Sequence, residues 1–121
     1  VLGFNCSIII ATYNEAKNLK NCLNPLFSVN FPPEKIEIIV IDNNSTDNTS
    51  EIVSKFSKVK YLEEKTQGAA FARNKGIKYS SGAILIFLDA NAIVEKNWLK
   101  NIILPFNEKH IDAVGGVILS F

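Results

Sequence analysis

Three short, unbroken apolar runs constrain this chain most: Ile8-Ile9-Ile10, Ile38-Ile39-Val40-Ile41 and Ile84-Leu85-Ile86-Phe87-Leu88. Each is of strand length, rich in β-branched or aromatic side chains, and free of polar alternation. A strand apolar on successive residues is buried on both faces, as in a parallel sheet enclosed by helices. Two of the runs end on an acid, Asp42 and Asp89. A carboxylate at the carboxyl end of a buried strand belongs in the crevice where the chain leaves the sheet. Open α/β sheets bind ligands there.

Between the runs the period changes to that of helices. Asn14 is expected to cap a helix from Glu15 to about Ser28, with Leu19, Cys22, Leu23 and Leu26 toward the sheet. Phe31-Pro32-Pro33 ends it, and Ile36 to Ile41 is the next strand. The polar string Asn43 to Thr49 is dense in turn and capping residues and leads into a helix from about Thr46 to Phe56. A short strand, Val59 to Leu62, precedes a loop at Thr66-Gln67-Gly68 and a helix over Ala69 to Tyr79. Ser80-Ser81-Gly82 stops that helix before the strand Ala83 to Leu88. Trp98 to Asn107 reads as a further helix and Ala113 to Phe121 as a final strand. The alternation predicts an α/β fold: a doubly wound, mainly parallel sheet with helices on both faces.

At 121 residues the chain is one domain, 1–121. A net charge of +1 with scattered Lys and Arg gives no case for nucleic acid or an anionic membrane surface. Cys6 and Cys22 lack metal-ligand spacing and read as buried free thiols, which fits a reducing, cytoplasmic compartment. No apolar run approaches the ~20 residues needed to cross a bilayer, and no charged-then-apolar leader opens the chain. Membrane association, at a cytoplasmic face, is expected only through segments outside this sequence. With no methionine and an apolar strand at its end, the sequence is expected to be a piece of a longer protein.

Asp42 can accept from the imide N–H of a base or from a ribose hydroxyl, or it can simply cap its turn. The residues after it, Asn43 to Thr46, offer N–H groups and hydroxyls at a helix start. In Asp89-Ala90-Asn91, an extended segment would point the two oxygen-bearing side chains the same way, toward one divalent cation on a diphosphate. A plain turn with an aspartate cap is the alternative. Gly68 and the small residues after it let a ligand approach backbone closely, and Arg73 and Lys75 can meet phosphate. The segment lacks both GxGxxG and a P-loop ending. The single histidine, His110, has no partner for a metal site or a catalytic triad and reads as a surface residue.

Taken in order, four segments resemble the family 2 glycosyltransferases of the GT-A fold. Ser7 to Glu15 resembles the opening strand and its TYNE turn, and Ile39 to Asp47 resembles VDDGSTD. Gly68 to Ile77 is similar to the GxxxARNxG helix, and Phe87 to Asn91 stands where the family has its DxD motif. The resemblance implies the Rossmann-like nucleotide-sugar-binding half of an inverting enzyme. Thr12, Tyr13 and Glu15 then line a base pocket, Asp42 holds the base edge with Asn44 beside it in the donor site, and Gly68 leaves room for the base. Asp89 and Ala90 sit near ribose and diphosphate, with Asp89 and Asn91 as ligands for Mg²⁺ or Mn²⁺. Arg73 matches a family arginine, with phosphate contact, helix packing and an ion pair all open as its role.

Two departures stand out. Asn43-Asn44 replaces an acidic-glycine pair, and Asn91 replaces the second acid of DxD, so the metal is weakened or dispensable. The general base and the acceptor half lie outside the chain. The expected function is transfer of a sugar from a UDP- or GDP-sugar to an acceptor hydroxyl, the acceptor being a glycan, lipid or protein. The alternatives are a non-catalytic nucleotide-sugar-binding module, or a receiver- or hydrolase-type α/β domain that also uses strand-end aspartates.

Overall fold

The computed structural model describes residues 5–116. They form four parallel strands, β1 (Cys6–Thr12), β2 (Ile36–Asp42), β3 (Val59–Glu63) and β4 (Ile84–Phe87). Helices α1 (Ala16–Leu26), α2 (Thr49–Ser54), α3 (Ala69–Tyr79) and α4 (Trp98–Ile103) connect and cover them. The sheet order is β3-β2-β1-β4. The chain runs outward through β2 and β3, then returns past β1 to lay β4 on its other side. That reversal puts a switch point between the carboxyl ends of β1 and β4, where doubly wound sheets take ligands.

β1 and β2 carry the unbroken apolar runs because both of their faces are covered. On one face Ile8, Ile10, Ile38 and Val40 pack with Leu19, Leu23 and Leu26 of α1, Val53 of α2 and Leu99 of α4. On the other, Ile9, Ile39 and Ile41 meet Ala72 of α3. Gly76 brings α3 down onto the sheet: a Cβ there would lie 2.5 Å from Ile9 Cγ2 and 2.8 Å from Ile41 Cδ1. Cys6 and Cys22 are free and buried, as their residue type and spacing predicted.

Five expectations are corrected. β4 is not buried on both faces: Ile86 is buried, but Phe87 is 49% exposed. It is the edge strand of the described sheet, and α3 lies mainly over β1 and β2, leaving Leu85 only partly buried against that layer. Asn14 does not cap α1. It sits at φ +51°, and Glu15 takes the cap position with no side-chain hydrogen bond to a backbone N–H of the first turn. α2 starts at Thr49 rather than Thr46, because Thr46 N–H is drawn to the Asn14 side chain. α4 stops at Ile103 and tightens into a 3-10 turn, Leu104–Asn107, since Pro105 has no N–H to continue an α-helix. Residues 113–116 are not strand, and the rest of the expected Ala113–Phe121 strand lies outside the described residues.

Candidate functional site

The carboxyl ends of β1 and β2 are sewn together by the loops that follow them. The Asn43 N–H donates to Thr12 O at 2.8 Å, extending the ladder one step beyond the strands. The Asn14 N–H donates to Ser45 Oγ at 2.9 Å, and Asn14 Oδ1 accepts from Thr46 N–H at 2.8 Å. The Ala16 N–H donates to Asp47 Oδ2 at 3.1 Å, while Asp47 Oδ1 accepts from the Thr49 N–H and hydroxyl. One aspartate thus serves the first turns of both α1 and α2. Burial raises the Asp47 pKa, but the bonds from Thr49 and Ala16 together outweigh it and hold the carboxyl below its ordinary range.

At the tip of β1, Thr12 is 2% exposed and its Oγ1 has no hydrogen-bond partner among the described residues. A buried hydroxyl without a partner is uncommon and calls for an explanation. Tyr13 beside it is 50% exposed, an aromatic face free to receive a planar ligand. Glu15 is half-buried and accepts from Asn18 Nδ2 at 2.7 Å.

At the tip of β2 the two polar neighbours point to opposite faces, as strand alternation requires. Asp42 lies on the α1–α2 face and is fully engaged. The Tyr61 hydroxyl donates to its Oδ2 at 2.6 Å, and Ser45 N–H donates to its Oδ1 at 3.0 Å. Burial pushes the Tyr61 hydroxyl well above its ordinary pKa, and the Asp42 hydrogen bond and charge push it further. Asn43 turns toward α3 and meets Glu64, Thr66 and Gly68. Asn44 has φ +67°, a conformation that asparagine tolerates and glycine adopts freely. A cavity of about 140 Å³ opens beside Asp42, walled by Ser45, Asp47, Ser50, Tyr61, Glu63 and Lys65 among others. Asp89 is not among its walls. Hollows of about 490 and 440 Å³ lie at the amino ends of β2 and β3 and along β4, away from these tips.

At the tip of β4, Asp89 and Asn91 are exposed and flank the buried Ala90. The segment is not extended. The Ala92 N–H donates to Asp89 O at 3.0 Å, so Asp89 to Ala92 is a tight turn. Cys22 Sγ of α1 donates to the same carbonyl at 3.5 Å. β4 stops opposite Ile9, three residues before the end of β1, and β1 separates Asp89 from Asp42. The two carboxylates therefore flank β1 instead of sharing the cavity at Asp42.

The helix α3 begins at Gly68, whose φ of +139° suits glycine and few other residues. Arg73 is exposed one turn further on, and Lys75 Nζ is tied to Glu63 O. Two groups were hidden from sequence reasoning. Asn43 stood out only as a replacement for an acid, with no sign of its partners Glu64, Thr66 and Gly68, and Tyr61 became part of the site through the pairing of β2 with β3.

Among the described residues no three His, Cys, Asp or Glu side chains cluster as a metal cage. Asp89 and Asn91 supply one carboxylate and one amide oxygen. That donor set fits a hard divalent cation that keeps its other ligands on water and diphosphate. It does not make a closed protein site.

The sequence pattern of Glycosyl transferase family 2 matches residues 7–121. The chain belongs to this family. Among curated family relatives, the glycosyltransferase AglE of Haloferax volcanii is 42% identical over 115 residues, covering 91% of this chain and 38% of AglE. Poly(ribitol-phosphate) beta-N-acetylglucosaminyltransferase TarS of Staphylococcus aureus is 34% identical over 113 residues, covering 89% of this chain and 20% of TarS. The chain thus spans well under half the length of these relatives. Among solved structures, S. aureus TarS with UDP-GlcNAc superposes with a TM-score of 0.81 at 28% identity, over 98% of this chain and 37% of that one. The mannosyltransferase PcManGT of Pyrobaculum calidifontis, in complex with GDP-Man and Mn²⁺, gives 0.78 at 27% identity, over 85% and 34%. The GT-A fold is shared with these family 2 enzymes. No helix among the described residues is long and apolar enough to cross a membrane.

Proposed function

We propose that this family 2 chain is the nucleotide-sugar-binding part of an inverting glycosyltransferase that uses a UDP- or GDP-sugar. The observation that carries the reading is the switch point itself. The tip of β1 offers an open aromatic face at Tyr13 and an unpartnered buried hydroxyl at Thr12. The tip of β4 offers the exposed Asp89 and Asn91 turn.

In this reading Tyr13, Thr12 and Glu15 face the base, and Gly68 leaves backbone within reach. Arg73 meets phosphate, and Asp89, Ala90 and Asn91 face ribose and diphosphate. Asp42 and Asn44 shape the β2 tip, since both oxygens of Asp42 are already bonded within the chain. A Mg²⁺ or Mn²⁺ held at Asp89 and Asn91 would supply positive charge opposite the departing diphosphate. Asp89 and Asn91 would hold that ion weakly. The base that deprotonates the acceptor hydroxyl comes from outside these residues.

Calorimetric titration with UDP- and GDP-sugars, with and without Mn²⁺, tests this. We expect micromolar to millimolar binding, strengthened by Mn²⁺ and weakened about tenfold or more by Asp89→Ala. Absence of binding to every donor ends the proposal. The neutral Asn91 favours a second reading, a nucleotide-sugar-binding module without transfer. Binding indifferent to Mn²⁺, with no donor hydrolysis or transfer by the longer protein, would select it.

A further inference from the structure

We propose that Asn43 is a positioning residue of the donor site: an amide clamp that holds the Glu64–Gly68 loop and the first turn of α3 against the tips of β1 and β2. The inference rests on the nucleotide-sugar reading and gives a role to a residue which that reading leaves aside.

Asn43 is 4% exposed, and its N–H already continues the β1–β2 ladder. Its side chain is bonded at both ends. Nδ2 donates to Glu64 O at 3.0 Å and to Thr66 O at 2.8 Å, and Oδ1 accepts from Gly68 N–H at 2.9 Å. The loop is held from its other side too, by Glu64 N–H donating to Asp42 O at 2.9 Å. Gly68 O in turn accepts from Phe71 and Ala72 N–H at 3.1 and 3.2 Å, so the position of Gly68 sets the first turn of α3. One buried side chain therefore ties this loop and the start of α3 to the tip of β2.

An amide is the group this place requires. Two carbonyl oxygens face Nδ2, and its two protons satisfy both. A carboxylate has the same shape and can keep the Gly68 N–H, but it has no proton for the carbonyls. It would set an anionic oxygen against two acceptors in a buried place. The VDDGSTD pattern that this segment resembles has an acid here, a group that when ionised has no proton to give the two carbonyls.

The test compares Asn43→Asp with the unsubstituted chain by amide hydrogen exchange over residues 64–68 and by calorimetric affinity for UDP, at pH 8 and pH 5. At pH 8 the variant should exchange about tenfold or more faster in that loop and bind UDP about tenfold more weakly. At pH 5 a protonated carboxyl can donate to one carbonyl, so part of both losses should return relative to the unsubstituted chain. A merely structural role would lower the thermal midpoint without that pH-dependent return. Loop exchange equal to the unsubstituted chain at pH 8, or raised exchange with unchanged UDP affinity, would overturn the clamp. Should Asn43→Asp fail to fold, Asn43→Ser, with one shorter donor, carries the pH 8 comparison alone, with the same overturning results. If the unsubstituted chain does not bind UDP, GDP takes its place in the comparison; binding of neither ends the donor reading, while loop exchange still decides whether Asn43 holds the loop.

Discussion

At the scale of single residues, the two thiols respond most directly to their surroundings. Burial pushes Cys22 up to about 12, with the Asp89 charge adding to it, and burial alone pushes Cys6 to about 11, against an ordinary 9.0. The sign follows from linkage. Below pH 9 both states hold the protons and stability is unaffected. Above it the unfolded chain loses them first, so stability falls as pH rises toward the folded values. Urea denaturation should show a plateau up to about pH 9 and a decline to pH 11 that is shallower in Cys22→Ala. Neither thiol should react with a thiol reagent at pH 8 until denaturant is added. Much at this scale was readable beforehand. The buried thiols followed from residue type and spacing, and Asn44 was marked as a departure from glycine before its φ of +67° gave the reason. The use of Asn14 was not readable, because its partners Ser45 and Thr46 are remote in sequence and meet it through the pairing of β1 with β2.

At the scale of elements, α3 illustrates how one missing methyl sets a helix-to-sheet distance. Gly76→Ala places a Cβ within 3 Å of Ile9 and Ile41 side chains that are themselves buried between layers. It should cost about 1–3 kcal/mol in urea denaturation, whereas Gly115→Ala, with nothing within 4 Å, should be neutral. The bounds of α3 were read correctly from sequence, Ala69 to Tyr79, because glycine and serine mark both of its ends. The start of α2 was not, because its polar leader is spent on bonds to another loop. Unbroken apolar character foretold two-sided burial for β1 and β2 and failed for β4. Local sequence reports what a strand can tolerate, and topology decides which strand lies at the edge.

At the scale of the molecule, the sheet is unevenly protected. β1 and β2 each pair on two sides, and β4 pairs only with β1 among the described residues. Amides of Ile84 to Phe87 should therefore exchange at least about tenfold faster than those of Ile8 to Ile10, measured on the intact chain. Equal protection would mean that β4 is covered as well as the centre. The fold class and the ordered family segments were legible from four short stretches. The separation of Asp42 from Asp89 was not, because strand order is invisible in any one of them.

That order has a consequence for how the polypeptide reaches its final form. β1 precedes the other three strands in the chain yet ends up flanked by β2 and β4, whose partner residues lie about 30 and 78 positions downstream. On a ribosome, Ile8 and Ile9 emerge well ahead of Ile86 and Phe87 and must wait for them before their second neighbour exists. During that interval a sticky segment has half its final company. Synthesis speed and chaperone access should therefore govern soluble yield more than the stability of the finished sheet does.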